Sequence, residues 1–460
     1  MTATQVSVIG AGHIGLPTAA ALVSFGHEVV CAESDPRRLR ILQDGGVPIY
    51  ERNLDEALAR GREGGRLTFV ASAAVAARTA EYVFLCVPTP ELPDGSADLS
   101  YLRQAAQEIG PSLLPQAVVV NKSTVPVGAT HLVEQTIGRD DIMVVSNPEF
   151  LREGTAVEDS LHPDRIVVGA DDQQVAARVG ALFATTGAPL LVTDAATAET
   201  IKYASNAFLA TKLSFINAIA GLCDEVGADV RDVILGLGYD HRIGFDFLRP
   251  GPGWGGSCFP KDTRALLHIA ESANYDFPLL RAVIQTNETQ LRRIVDRLET
   301  ALGCGAPSVS EAQTPLGTST IAVWGLTFKA ETDDLRMSPA IRIISDLLTR
   351  GARVQAYDPT LGKAGGPVLP ERADQIRQEF RADGVSDAKL DGFSLRTSSV
   401  LACEGASALL VLTEWQEFRD VDIARVRKAL ERPLIVDARN LLDPAAIRQA
   451  GFQYIGVGRH

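Results

Sequence analysis

One spacing of glycines constrains this chain more than any other feature. Gly10, Gly12 and Gly15 follow the strand-like run Val6-Ser7-Val8-Ile9 and lead into the helix-forming stretch Pro17–Phe25. In such a turn the first glycine makes the tight bend, and the second lets a diphosphate approach the backbone. The third lets the helix pack against the strand, and the helix N-terminus faces the anion. Glu33 closes the next β-branched run, Glu28–Ala32, where its carboxylate would accept hydrogen bonds from an adenosine ribose. A carboxylate there repels a 2′-phosphate, so NAD is expected rather than NADP. Arg37 and Arg38 follow closely and temper that preference, although arginines at such positions usually face solvent.

The pattern returns in the second half without its glycines. Ser7-Val8-Ile9-Gly10 is echoed by Ala322-Val323-Trp324-Gly325. The run from Gly26-His27-Glu28-Val29 to Asp35-Pro36 is echoed by Gly351-Ala352-Arg353-Val354 to Asp358-Pro359. Tyr82–Val87 resembles Ala408–Leu412, and Val118–Asn121 resembles Leu434–Asp437. The second turn reads Gly325-Leu326-Thr327-Phe328-Lys329, with a lysine where a glycine would be needed. It is not expected to hold a second dinucleotide; its lysine suits a sugar ring or a diphosphate.

A chain of 460 residues exceeds one core and predicts two or three domains. Residues 1–197 alternate the short strands Val6–Ile9, Glu28–Ala32, Tyr82–Val87, Val118–Asn121 and Met143–Ser146 with helices such as Pro17–Phe25 and Leu99–Ile109. That is the pattern of a parallel sheet covered on both faces. Residues 198–302 change character. Ala198–Val226 reads as one long helix ended by Gly227, and further helices are expected over Asp262–Ser272 and Leu279–Leu302. Residues 303–319 are small, polar and broken by prolines, as a linker is. Over 320–460 the α/β pattern restarts, with Gly362–Ser399 expected as a partly irregular insertion. The predicted class is α/β, with two Rossmann-like doubly wound domains joined by a central helical region that could carry an oligomer interface.

A net charge of −13 and the lack of any basic run argue against nucleic-acid binding. No stretch approaches the roughly 18 consecutive apolar residues of a membrane span. The first strand begins too early for a signal peptide, so a cytoplasmic protein is expected. The cysteines at 31, 86, 223, 258, 304 and 403 form no Cys-x-x-Cys pair, and the histidines do not cluster. Neither a metal site nor a disulfide framework is expected.

Chemistry concentrates in Gly253-Trp254-Gly255-Gly256-Ser257-Cys258-Phe259-Pro260-Lys261-Asp262. Glycines crowd the approach to one cysteine, as close contact between backbone and ligand requires. Taken alone, a cysteine beside such a turn is more often a small core residue. Cys258 and Asp262 are four apart and share a face in a helical turn, as do Lys202 and Asn206 in the long helix. A lysine on an otherwise apolar helix face is costly to bury unpaired. A thiolate adds readily to carbonyls and leaves readily, and nearby positive charge, for which Lys202 is a candidate, favours its ionisation. Three loops add polar groups at the C-terminal ends of first-half strands, where such sheets bind ligands. They are Pro88-Thr89-Pro90, Lys122-Ser123-Thr124-Val125-Pro126-Val127-Gly128, and Asn147-Pro148-Glu149-Phe150-Leu151-Arg152-Glu153-Gly154.

Taken together and in order, seven motifs carry a family resemblance. They are Gly-Ala-Gly-His-Ile-Gly from Gly10, Val-Pro-Thr-Pro from Val87, Lys-Ser-Thr-Val-Pro-Val-Gly from Lys122, and Ser-Asn-Pro-Glu-Phe-Leu-Arg-Glu-Gly from Ser146. The rest are Lys-Tyr-Ala-Ser-Asn-Ala-Phe-Leu-Ala-Thr-Lys from Lys202, Gly-Gly-Ser-Cys-Phe-Pro-Lys-Asp from Gly255, and Thr-Asp-Asp-Leu-Arg from Thr332. Over nearly its whole length the chain resembles the UDP-glucose/GDP-mannose dehydrogenase family, and within it the UDP-glucose 6-dehydrogenases.

The resemblance implies an N-terminal NAD domain, a central helical dimerisation region and a C-terminal nucleotide-sugar domain. It implies four-electron oxidation of a C6 alcohol by two NAD molecules, UDP-glucose becoming UDP-glucuronate, with dTDP-glucose and GDP-mannose as alternative substrates. In it Cys258 forms a thiohemiacetal and then a thioester, and Lys202 and Asn206 stabilise negative charge on the C6 oxygen. Glu149, Thr124 and Asp262 position or deprotonate water. Cofactor contacts fall on Gly10, Gly12, His13, Ile14, Gly15, Glu33, Arg38, Pro88, Thr89, Ser123, Thr124, Glu149, Lys261 and Arg336. Substrate contacts fall on Phe150, Leu151, Arg152, Glu153, Lys202, Asn206, Phe247, Gly255, Cys258, Phe328 and Lys329, with Arg242 reaching across a homodimer.

Three departures bear on pocket shape: Arg52-Asn53 where Pro-Gly is usual, Trp254 where tyrosine is common, and Ala438 where glycine is frequent. Two other readings compete. One is a two-electron oxidation of a small hydroxy acid, which leaves the Cys258 set unexplained. The other is a nucleotide-sugar-binding regulator without turnover, against which the intact Cys258, Lys202, Asn206, Glu149 and Asp262 argue.

Overall fold

The computed structural model describes residues 3–303, 315–363 and 366–459. The chain forms two compact units: the first runs to Asn206 and includes Arg264–Asp276, and the second comprises Ala207–Thr263 and the chain from Phe277 on.

The first unit is built on an eight-stranded sheet. Its strands are β1 (Gln5–Ile9), β2 (Glu28–Ala32), β3 (Leu67–Val70), β4 (Tyr82–Leu85), β5 (Val118–Asn121), β6 (Met143–Ser146), β7 (Ile166–Gly169) and β8 (Leu190–Thr193), ordered β3-β2-β1-β4-β5-β6-β7-β8. The central strands Tyr82–Leu85 and Val118–Asn121 are buried at every position, as strands covered on both faces must be. Leu16, Leu22 and Leu58 pack in one apolar layer, and Leu102, Ile109 and Val133 in another. The sheet departs from the parallel one expected. β6 meets β7 antiparallel through Ser146 and Gly169, and β7 pairs in parallel with β8. In the parallel part Leu85, Asn121 and Ser146 lie in register, so β4, β5 and β6 release their following loops side by side.

The second unit contains β9 (Thr320–Trp324), β10 (Arg353–Tyr357), β11 (Phe393–Leu395), β12 (Ala408–Val411), β13 (Leu434–Asp437) and β14 (Gln453–Gly456). Their order, β11-β10-β9-β12-β13-β14, repeats that of the first six strands, and every pairing is parallel. The stretch expected as an irregular insertion instead holds the helix Pro370–Ala382 and the edge strand β11. Phe380 on that helix packs edge-on against Phe393 at 4.7 Å, which fixes the strand to the helix. Of the expected linker, residues 304–314 lie outside the described residues, and Pro315–Thr318 form a 3-10 turn with Leu316 buried.

The long helix runs Ala195–Val226, starting three residues earlier than expected because Asp194 accepts hydrogen bonds from the amide and hydroxyl of Thr197. It is also long and apolar enough to cross a membrane, with a mean hydropathy of 1.3 over its best window. Half of that window is buried inside the protein, and Lys202, Asn206, Ser214 and Asn217 are buried polar positions of the helix, which fits a core helix. The helices Phe259–Ser272 and Pro278–Ala301 follow.

Candidate functional site

The glycine turn shows which of its glycines the protein needs for itself. Gly10 has φ +101°, and a Cβ there would stand 2.5 Å from the Cys86 carbonyl oxygen. A Cβ on Gly15 would stand 1.8 Å from the Gly10 carbonyl. A Cβ on Gly12 would meet nothing within 4 Å, so that space is kept for something other than protein. The helix Gly15–Ser24 starts here with no side chain capping it; the Leu16 and Thr18 amides donate to the Gly12 and Ile14 carbonyls, and the positive end of the helix favours an anion beside the turn. Half-buried His13 and Ile14 complete the turn. At the end of β2, Glu33 accepts the Asp35 amide at 2.9 Å and pairs with Arg38 at 3.3 Å. Arg38 also donates to the Ala11 carbonyl at 2.7 Å, so one guanidinium spans the acid and the glycine turn. The open space at Gly12, the helix start and the strand-end acid fit an adenine dinucleotide.

The loops after β4 and β5 bond to each other, and the loop after β5 reaches the carboxylate of Glu149 in the loop after β6. Thr89 donates to the Thr124 carbonyl at 2.8 Å, and Ser123 to the Val87 carbonyl at 2.8 Å; Pro88 between them is exposed. Thr124 Oγ1 reaches Glu149 at 3.4 Å, the Leu151 amide donates to Glu149 at 2.7 Å, and Lys202 Nζ stands 2.9 Å from the same carboxylate. Burial works against the charge of Glu149. Lys202, the Leu151 amide and Lys122 outweigh it and hold the carboxyl below the ordinary glutamate range. Asn206, one turn on from Lys202, is buried as well. Phe150 carries Lys202 at 5.6 Å from its ring centre and is stacked by Arg165 at 3.5 Å. Arg152 is exposed and bonded to Asp159, Glu153 is half-buried, and Glu51 holds the loop by accepting the amides of Gly154 and Ala156. The departure at Arg52-Asn53 keeps the backbone that glycine would give, because Asn53 adopts φ +63°.

In the second unit, side chains of the flanking helices pin the cysteine loop. Asn287 accepts the Trp254 amide at 2.8 Å, the Trp254 indole donates to Ser214 at 2.9 Å, and Gln290 donates to the Gly251 carbonyl at 2.7 Å. A Cβ on Gly255 would lie 2.1 Å from the Met337 carbonyl, and one on Gly256, where φ is +82°, 2.9 Å from the Phe328 ring. Cys258 directly precedes the helix Phe259–Ser272, whose N-terminus favours a thiolate. Cys31, Cys86, Cys223 and Cys403 are buried, so Cys258 alone among the described cysteines is partly exposed. The Asp262 amide donates to the Cys258 carbonyl at 2.9 Å, and Lys261 pairs with the buried Asp262 carboxylate. Phe247 stands 6.2 Å from the Phe259 ring. The Phe328 carbonyl accepts Arg439 at 2.7 Å, Lys329 lies over the Phe328 ring, and Arg336 chelates Asp334. Arg242 is exposed in a loop where Asp240 holds its guanidinium.

Two findings modify the sequence reading. The Lys202 ammonium is paired with Glu149, and Cys258 stands at a helix start of its own. Sequence reasoning also gave no role to four side chains of the first unit: Lys122, Asn147, Arg165 and Glu199. Glu199 is buried and accepts the amides of Gly128 and Thr130 at 2.7 and 2.9 Å, fixing the loop that carries Ser123 and Thr124. Lys122 was detectable, since it directly follows the apolar run Val118–Val120 and Asn121, where an unpaired lysine is costly.

The chain matches the UDP-glucose/GDP-mannose dehydrogenase family in three parts: the NAD binding domain over residues 4–186, the central domain over 196–289 and the UDP binding domain over 322–444. It is 41% identical over 460 residues to a UDP-glucose 6-dehydrogenase of Bacillus subtilis (strain 168), covering 99% of this chain and 93% of that one. It is also 41% identical to a UDP-glucose 6-dehydrogenase of Pseudomonas aeruginosa, covering 99% and 97%. Among solved structures, a UDP-glucose dehydrogenase from Pyrobaculum islandicum superposes with a TM-score of 0.85 at 35% identity, over 100% of this chain and 98% of that one. A UDP-D-ManNAc dehydrogenase from Pyrococcus horikoshii gives 0.82 at 26% identity, over 99% of each.

Proposed function

The chain belongs to the UDP-glucose/GDP-mannose dehydrogenase family, and on that premise we propose that it oxidises the C6 alcohol of UDP-glucose to the carboxylate of UDP-glucuronate with NAD as oxidant. The observation that carries the reading is the setting of Cys258, a partly exposed thiol at a helix start, held by glycines that leave no room for side chains. A two-electron alcohol oxidation has no use for such a thiol, whereas an aldehyde that must go on to the acid needs a nucleophile able to add and to leave.

NAD, when bound, would supply the hydride acceptor for both oxidations, one molecule for each. In the first, the C6 hydroxyl proton leaves to water while Lys202 and Asn206 stabilise the negative charge on the oxygen as the aldehyde forms. The Cys258 thiolate then adds to C6, a C–S bond forms and the former carbonyl oxygen gains a proton. Loss of the second hydride and of that proton leaves a thioester. Water held by Thr124 and Glu149, with Asp262, adds to C6 and gives up its two protons through these carboxylates to solvent; the C–S bond breaks, the thiolate is restored and the carboxylate departs. Phe150, Leu151, Phe247, Gly255, Phe328 and Lys329 line the nucleotide-sugar site in this reading. Gly12, Glu33 and Arg38 belong to the NAD domain.

The exposed Phe208, Phe215, Leu222 and Val226 fall on one side of the long helix, at spacings of seven, seven and four residues. This supports a homodimer through the central region, with Arg242 carried to the partner subunit's substrate. Sedimentation of Phe215→Glu should then show a monomer. The same reading puts the enzyme in the cytoplasm with its nucleotide substrates.

The deciding measurement is NADH formed per mole of sugar nucleotide, with UDP-glucose, dTDP-glucose and GDP-mannose run in parallel. Two equivalents from UDP-glucose are expected. One equivalent would remove the thioester route, and none from any of the three would remove the activity.

A further inference from the structure

One buried cation of the first unit has no task in this mechanism. Lys122 follows β5 and is buried. Its Nζ donates to Asn147 Oδ1 at 3.1 Å and lies 5.6 Å from the centre of the Phe183 ring. Asn147 is itself fixed, donating from its side chain to the Val167 carbonyl at 2.8 Å and from its amide to the Asn121 carbonyl at 2.9 Å. The ionisable groups that face Lys122 are Cys86, Glu149 and Lys202; burial pulls the Lys122 ammonium below the ordinary lysine range, and Glu149 acts against that to hold its charge. Those that face Glu149 are Lys202, Lys122 and, at the rim, Arg165, with Cys86 also close. Burial pushes the Cys86 thiol up to about 12, so it stays neutral. Glu149 is then the one ionised counter-charge of Lys122 among these groups.

Glu149 thus has one lysine in contact, Lys202, and a second, Lys122, held by Asn147 and acting on it at longer range. For the ground state alone the second is excessive, since Lys202 already stands 2.9 Å from Glu149. A methionine of similar length would fill the Lys122 position without the cost of burying charge. The second cation becomes useful once Lys202 is drawn to an oxygen that is gaining charge. Glu149 would then lose its partner in a buried site and take up a proton, which would remove it as the group that holds water. We infer that Lys122 is a positioning residue of the reaction, supplying the standing positive charge that keeps Glu149 ionised while Lys202 serves the C6 oxygen. This rests on the function proposed above.

The test separates the two. The carboxyl stretch of Glu149, assigned by its loss in E149Q, is titrated by infrared difference spectroscopy in the full-length wild type and in K122M. In K122M the carboxyl should be about tenfold harder to ionise, a rise of about one pH unit. The acid limb of kcat should move up by the same amount, with KM for NAD and UDP-glucose changed by less than about threefold. K122Q, which can keep a hydrogen bond to Asn147 without the charge, should behave as K122M, and K122R should recover most of the rate. K122M should cost nothing further in an E149Q background. An unmoved Glu149 titration in K122M or K122Q, or an equal loss in the E149Q background, would overturn the inference. If the wild type forms no NADH, the proposed function fails, while the infrared titration still decides whether Lys122 sets the ionisation of Glu149.

Discussion

The two sheets share one strand order over six strands yet treat their first turn in opposite ways. After β1 the helix begins at Gly15, six residues past Ile9, with no side-chain cap. After β9 the next helix begins only at Pro339, and the intervening loop carries Phe328, Lys329 and Arg336. The acids that follow the second strands differ as well. Glu33 turns to Asp35 and Arg38, whereas Asp358 is fully buried and accepts the amides of Leu326 and Thr327 at 2.7 and 3.2 Å and the Trp415 indole at 3.3 Å. The first Rossmann turn leaves open space at Gly12 beside a helix start, whereas the second ties its amides to an anion of its own. A shared topology therefore says where a ligand could bind, and the fate of a few backbone amides says whether it does.

Gly15→Ala is the harshest test of this contrast. A methyl 1.8 Å from the Gly10 carbonyl has nowhere to go, so a loss of about 3 kcal/mol or more in stability and no calorimetric NAD binding are expected. Normal NAD binding in that variant would break the account of the first turn. Asp358→Asn removes the internal anion of the second turn and should cost about 2 kcal/mol by denaturant titration. A neutral result would mean that its amides do not depend on it. Gly12→Ala sharpens the contrast from the ligand's side. Its methyl meets only open space, so stability should hold while KM for NAD rises about tenfold, about 1.4 kcal/mol of binding.

The smallest effect is in pH dependence, where the halves have opposite signs. The folded pKa of Glu149 is depressed, so its contribution is present above the ordinary glutamate value and lost as pH falls through the folded one. Asp437, which ends β13, is raised by burial, so its contribution is full below the ordinary aspartate value and lost as pH rises through the folded one. Melting temperature against pH should lose its acid-side fall in Glu149→Gln and its decline with rising pH in Asp437→Asn. Unchanged slopes would remove both assignments.

Much of the first sheet was legible because Val118–Asn121 and its neighbours are apolar on both faces and end in polar loops. β3, β7 and β8 were not, since four residues such as Leu190–Thr193, with two exposed leucines, carry no period. The antiparallel join at Ser146 depends on a single bridging pair that local sequence does not encode. The insertion was misread because the glycines and charges of Gly362–Ser399 hide Ile376 and Phe380, the two apolar residues that its helix buries along with Arg372. In the candidate site, motifs named Glu149, Lys202 and Cys258, but the pairing of Glu149 with Lys202 joins residues far apart in the chain and needed the fold.

The burial of the other cysteines turns Cys258 into a counting device. Cys31, Cys86, Cys223 and Cys403 are enclosed, and burial pushes each thiol up, Cys86 and Cys403 to about 12. Of the five described thiols, an alkylating reagent at neutral pH therefore finds one. On the function proposed above, its uptake, read by peptide mass spectrometry, should report the fraction of competent active sites in a preparation, and a bound nucleotide sugar should slow it.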